Sequence, residues 1–194
     1  MRINLLAGPG AGKSTTAAWL FSELKRRNIS VEHVGEYVKG WSYQKRTIHK
    51  YDQLYLFGKQ HQIEYKYLIN GVKHIVTDSP IILSAFYSKI NGSPELSDNL
   101  TTICKLYEKD FPSFNIFLQR GDKEYIQAGR WQTKEDALRI DKEIHEFITK
   151  QLVGNFIELP FDNERAILDA VLLKIQECDC KCDCKDGYDK LCFQ

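Results

Sequence analysis

Eight consecutive residues near the N-terminus, Ala7-Gly8-Pro9-Gly10-Ala11-Gly12-Lys13-Ser14, join turn-forming glycines to a cation and a hydroxyl. Glycines let successive backbone N–H groups point inward around an anion, and a helix that follows adds its positive N-terminal end. The run matches the Walker A pattern with Ala7 in the first glycine position. That change is mild, because the residue ends a strand and the tight turns come later. In such a loop Lys13 lies between the β- and γ-phosphates, Ser14 offers its hydroxyl to Mg2+ and Thr15 reaches the α-phosphate. A strand-like run before the loop and helical spacing after it are the context the motif requires. Residues 7–15 are therefore expected to bind a nucleoside triphosphate, ATP, together with Mg2+.

Two carboxylates follow strand-like segments, Glu36 after residues 31–34 and Asp78 after residues 74–77. Beside a triphosphate, one acid completes the Mg2+ shell and the other takes the proton from an acceptor hydroxyl. Asp78 is the expected Mg2+ residue with Ser14, and Glu36 the expected general base. The sequence does not rank the two acids, and Asp52 is a substitute for Glu36. Arg120 and Arg130 flank a polar, glycine-containing loop. An arginine closing over the γ-phosphoryl oxygens stabilises the charge that develops there, and a mobile loop would exclude water. Lys123, Lys134 and Arg139 are weaker candidates for the same role. Residues 36–46 mix rings with cations, so Trp41 and Tyr43 either stack on an acceptor base or cover the edge of the core.

The elements that must position these residues alternate. Short segments at 3–7, 31–34, 74–78, 114–118 and 156–159 read as strands, most of them apolar runs ended by turn or acidic residues. Helical spacing occupies 13–26, 51–69, 81–90, 97–110, 134–151 and 163–176, with Asn28 closing the first of these. Strands joined by helices pair in parallel through right-handed crossovers. The expected fold is an α/β three-layer sandwich around a five-stranded parallel sheet, with residues 1–176 as one domain.

Composition narrows the setting. The 194 residues are 43% hydrophobic and 27% charged, which is globular and excludes a fibrous or low-complexity chain. No apolar run nears the roughly 20 residues needed to span a bilayer. The net charge of +1 gives no bulk attraction to nucleic acid, so any such contact must come from a local patch. Of six cysteines, five lie at 178, 180, 182, 184 and 192. A secreted disulfide scaffold would distribute them, so a reducing cytoplasm is expected, the host's if the source is viral. The segment 177–194 reads as a disordered, redox-labile tail rather than a Zn2+ or Cu+ site, whose cysteines usually come as two separated pairs.

The loop at 7–14, Glu36-Tyr37-Val38-Lys39, the helix with Asp52 and Gln60, Thr77-Asp78-Ser79-Pro80 and Gly129-Arg130 occur in an order that resembles the P-loop kinases of the thymidylate kinase, deoxynucleoside kinase and ribosylnicotinamide kinase group. The resemblance covers about residues 1–175. It implies a nucleoside/nucleotide-kinase-like fold with Glu36 as base, Asp78 beside Mg2+ and residues 120–130 as a lid. Thymidylate kinases carry Asp-Arg where this chain has Asp78-Ser79, which argues against a free thymidylate acceptor. Tyr51-Asp52-Gln53-Leu54-Tyr55 and Ala128-Gly129-Arg130-Trp131-Gln132-Thr133 look like small bacteriophage kinases that phosphorylate 5-hydroxymethyluridine in DNA. That resemblance implies hydroxymethylated DNA as acceptor, with a free nucleoside such as nicotinamide riboside as the alternative. A regulatory nucleotide switch, in which Glu36 orients water, is the alternative of another class. The sequence sets no oligomeric state.

Overall fold

Five short strands form one sheet. They are β1 (Arg2–Leu6), β2 (Val31–Val34), β3 (His74–Thr77), β4 (Ser113–Gln119) and β5 (Ile157–Pro160). The computed structural model describes residues 1–122, 125–126 and 130–183, without the side chains of 179–183. All strand pairs are parallel, in the order β2-β3-β1-β4-β5. The chain leaves central β1, builds one half of the sheet with β2 and β3, then crosses to β4 and β5. Strand order reverses at β1, and in open parallel sheets that switch point is where a crevice opens beyond the strand ends. The glycine loop lies there.

Seven helices cover the sheet among the described residues: α1 (Lys13–Arg26), α2 (Lys39–Tyr43), α3 (Asp52–Ile69), α4 (Ile82–Ile90), α5 (Pro94–Asp110), α6 (Lys134–Gln151) and α7 (Glu164–Asp183). Successive strand side chains point to opposite faces, so each strand feeds two cores. Ile3, Leu5, Ile116 and Leu118 pack with Leu20, Leu24, Ile167 and Val171 on one face. Leu6 and Phe117 pack with Phe86, Leu100, Ile144 and Phe147 on the other. The result is the expected three-layer sandwich.

Local chemistry explains most element ends. Asn28 closes α1 in the left-handed region (φ 58°). Its N–H donates to the Lys25 carbonyl and that of Ile29 to the Leu24 carbonyl, which satisfies the last turn. Thr133 and Asp136 form a reciprocal capping box at the start of α6.

Three elements differ from the sequence reading. Helix α5 starts at Pro94 rather than 97, because proline's missing N–H costs nothing in a first turn. The short helix α2 is unanticipated and forms around Trp41, its one buried side chain. Helix α7 runs to Asp183, past the expected boundary at 176, since residues 177–183 hold neither glycine nor proline to stop it. Residues 178–183 thus belong to the helix, and the rest of the cysteine tail, 184–194, lies outside the described residues. Cys104 belongs to the second core, where burial pushes its thiol up to about 12 and keeps it protonated.

Candidate functional site

The glycine loop leaves β1 at Ala7, which is fully buried, and ends at the first turn of α1. Gly10 and Gly12 have φ of +73° and +92°, a region that side chains avoid. A Cβ would also be obstructed at both, by the Tyr125 ring at Gly10 and by Phe161 at Gly12. The start of α1 has neither a side-chain cap nor an acidic residue. Its unsatisfied N–H groups and positive end therefore remain for an anion. Ser14 and Thr15 are exposed on that turn.

Lys13 folds back over the loop, donating to the carbonyls of Ala7 and Gly8 at 2.8 Å each. Burial lowers its pKa, against the opposing pull of Glu36, Asp78 and Asp141. These three carboxylates are thus gathered around one ammonium, although they come from the ends of two strands and from α6. Asp78 is buried, and its Oδ1 has no hydrogen-bond partner. An orphaned carboxylate oxygen with a serine hydroxyl on the neighbouring helix turn fits a hard, oxygen-ligated cation such as Mg2+.

Glu36 lines the cleft, open to water on one side and hemmed by protein on the others. Loss of hydration raises its pKa above the ordinary carboxylate value; Lys13, Lys39 and Arg130 pull it back while Asp78 adds to the rise. Gln60, buried on α3, holds the backbone on both sides of this acid. Its Oε1 accepts the Tyr37 N–H at 3.0 Å and its Nε2 donates to the Gly35 carbonyl at 3.3 Å. Asp52 is elsewhere: its carboxylate accepts the His49 N–H at 2.8 Å at the start of α3, and it does not line the cleft.

The two lid arginines part company. Arg120 Nε donates to Asp141 Oδ2 at 2.5 Å and Nη2 to the Pro9 carbonyl at 2.6 Å, so it grips the glycine loop from outside the cleft. Asp141 completes the grip by accepting the Gly8 N–H at 2.6 Å. Arg130 lines the cleft, bonds the Ile126 carbonyl and lies over the Tyr125 ring at 5.4 Å. Lys134 is exposed and Arg139 pairs with Glu143 at 2.8 Å; neither lines the cleft. Lys123, Ala128 and Gly129 lie outside the described residues.

The cleft encloses about 310 Å³ between Pro9, Lys13, Glu36, Lys39, Tyr43 and Arg130. A second chamber of about 530 Å³ adjoins it, lined by Val38, Lys45, Arg46, Gln53 and Asn91. Ser42, Tyr87, Arg130, Trp131 and Gln132 are common to both. Trp41 proves to be a covering residue. It is 7% exposed, stacks on Tyr55 and carries the Arg46 guanidinium at 3.4 Å over its ring. The rings that reach the cleft are Tyr43, Tyr87 and Trp131 instead.

Asp141, whose carboxylate holds Gly8 and Arg120, is absent from the sequence reading. A lone aspartate on the polar side of a helical pattern carries no signal of its own, and only its register against the loop distinguishes it.

A family model described as AAA domain matches residues 2–164. No curated protein matches the sequence. Among solved structures, the NadR protein in complex with NAD and AMP-PNP superposes with a TM-score of 0.65 at 13% identity, covering 88% of this chain and 48% of that one. NadR with NR gives 0.67 at 15% identity, and this chain spans half its length. Deoxyadenosine kinase from M. mycoides, with products dCMP and dCDP, gives 0.58 at 18% identity, covering 91% and 100%. At these identities the likeness is one of fold.

Proposed function

The chain belongs to the AAA-domain family, whose model spans residues 2–164, and on that premise we propose that it is an ATP-dependent kinase acting on a hydroxyl. The observation that carries the reading is that Glu36 and Lys13 line one cleft, and that a second chamber adjoins this cleft through Ser42, Tyr87, Arg130, Trp131 and Gln132. A nucleotide switch has no need of an acceptor chamber beside its carboxylate.

The roles follow from placement. Backbone N–H groups of residues 8–15 hold the phosphates, and Lys13 leaves its carbonyl partners to neutralise the β- and γ-oxygens. Ser14 and Asp78 would hold Mg2+, which would supply further charge neutralisation to the phosphates when bound. Arg130 faces the γ-phosphoryl group from the opposite wall. Arg120 and Asp141 act as positioning residues that keep the loop in its cradle shape. Glu36 takes the proton from the acceptor hydroxyl as the oxygen attacks phosphorus and ADP leaves. Its raised pKa makes it a stronger base than an ordinary carboxylate.

As acceptor we favour the hydroxymethyl group of 5-hydroxymethyluridine in DNA, the reaction taking place in the cytoplasm. Among the described residues no helix is long and apolar enough to cross a membrane. The fold shared with NadR bound to NR and with deoxyadenosine kinase supports a free nucleoside as the second reading. The deciding experiment is transfer of labelled γ-phosphate from ATP to 5-hydroxymethyluridine DNA, unmodified DNA and a panel of free nucleosides. Label on the modified DNA alone supports the first acceptor, and label on a nucleoside alone replaces it. ATP hydrolysis indifferent to every hydroxyl would overturn the kinase reading. Lys13→Ala should reduce transfer by about a hundredfold or more.

A further inference from the structure

The near-neutral chain hides a strong local asymmetry. Between residues 39 and 73 lie seven Lys and Arg residues against two carboxylates, leaving 20 of the 27 cations and 24 of the 26 acids for the rest. Only one of the two carboxylates, Asp52, is left at the surface to offset this charge. Glu64 is fully buried against Arg2 at 3.6 Å, and Asp52 accepts the His49 N–H.

The cations of this segment also differ in their partners. Several cations elsewhere on the surface meet acids, such as Arg27 with Glu23, Arg139 with Glu143, Arg165 with Asp169 and Lys174 with Glu177, while Lys89 rests on Phe147 and Lys105 bonds Gln151. Among the described residues no ion pair includes a cation of the 39–73 segment. Four of them rest on aromatic rings instead: Arg46 on Trp41 at 3.4 Å, Lys50 on Tyr51 at 5.5 Å, Lys59 on Tyr55 at 5.8 Å and Lys66 on Tyr67 at 4.8 Å. A ring attracts a cation without neutralising it, so the positive charge stays available to an anion.

Helical spacing lines these groups up. Tyr55, Lys59, Gln62 and Lys66 recur at three and four and so share one outer face of α3, which is about 27 Å long at 1.5 Å per residue over its 18 residues. The face is continuous with the candidate acceptor chamber. Tyr55 stacks on Trp41, Trp41 carries Arg46, and Arg46 and Lys45 line the chamber.

We propose that the α2–α3 face is a track for a single nucleic-acid strand, whose phosphates lie along Arg46, Lys50, Lys59 and Lys66 while the acceptor base enters the chamber. The proposal deepens the DNA-acceptor reading and rests on it for the entry of the base. Spaced cations with exposed rings between them match the way sequence-tolerant proteins hold single strands.

The test is binding rather than catalysis. Anisotropy of a fluorescein-labelled 20-nucleotide oligothymidylate, titrated between 50 and 200 mM salt, should give a log–log slope of about −3 for four phosphate contacts. Lys59→Gln with Lys66→Gln should bring the slope to about −1.4 and weaken binding roughly 25-fold at 0.1 M salt. ATP affinity and the melting temperature should not change, which shows that the variant is folded. Arg139→Gln with Lys150→Gln, two changes on α6, should leave the slope as it was.

An unchanged slope in the Lys59/Lys66 variant would overturn the proposal. So would binding to phosphatidylserine vesicles without binding to the oligonucleotide. Slope loss in an enzyme that phosphorylates only free nucleosides would keep the track and remove the DNA acceptor. Transfer to hydroxymethylated DNA with an unchanged slope would do the reverse.

Discussion

Asp141→Asn keeps the side chain's volume, removes its charge and tests how the phosphate loop is held. The carboxylate has two partners, the Gly8 N–H at 2.6 Å and Arg120 Nε at 2.5 Å. An asparagine can accept from one of them, but its NH2 then faces the other donor to donor. A hydrogen bond to a charged group contributes about 1.5–3 kcal/mol, and a guanidinium left without its carboxylate adds a desolvation cost. That cost is moderated here, since the two side chains are 18% and 16% exposed. The expected loss is about 2–3 kcal/mol, which lowers Tm by roughly 4–12 °C in a chain of this size. If about 1.4 kcal/mol of it falls on the loop conformation, ATP affinity drops about tenfold. Thermal melting followed by circular dichroism and calorimetric titration with ATP measure both quantities. A double-mutant cycle with Arg120→Gln should show coupling of about 1 kcal/mol or more. A Tm and an ATP affinity both indistinguishable from the unaltered protein would refute the claim that Asp141 holds the loop.

Three further outcomes are expected. Because the pKa of Glu36 is raised and the base works ionised, kcat/KM should fall as pH drops through a value above 4.5; Glu36→Gln should abolish that limb and cut the rate about a hundredfold while sparing ATP binding. Glu64, pushed up to about 7 by burial, holds its proton in the folded state more tightly than in the unfolded one. Its stabilisation is complete below about pH 4.5 and is lost as pH rises to about 7, a fall of roughly 3 kcal/mol that urea unfolding should show and Glu64→Gln should flatten. Gly12→Ala forces a side chain into φ +92° with its Cβ 2.4 Å from Phe161, so melting should report a loss of at least about 1–3 kcal/mol.

Ala7 to Thr15, Glu36 and Asp78 stand out as candidates in the sequence because each follows a strand-like segment, and the end of a parallel strand is where ligands bind. Periodicity showed five strands and six long helices for the same reason: burial of one face repeats at a fixed spacing along the chain. The start of α5 was missed because Pro94 reads as a breaker until it is seen to occupy a first turn. Helix α2 was missed because five residues are too few to display a period, and Trp41 needed the packing against Tyr55 to be seen as a cover.

What the sequence alone determined is the local chemistry: a phosphate loop, two strand-end acids and an alternating α/β pattern, all set by neighbours in the chain. Only the tertiary structure decided which distant groups meet. Asp141 lies 133 residues from Gly8, Gln60 reaches back to Gly35 and Tyr37, and Arg120 grips Pro9 rather than entering the cleft. The charge asymmetry of residues 39–73 is likewise present in the sequence, yet it becomes a surface only once folding buries Glu64 and sets Lys59 and Lys66 on one face of α3. Contacts across such separations depend on how helices settle on the sheet, and no spacing along the chain encodes that.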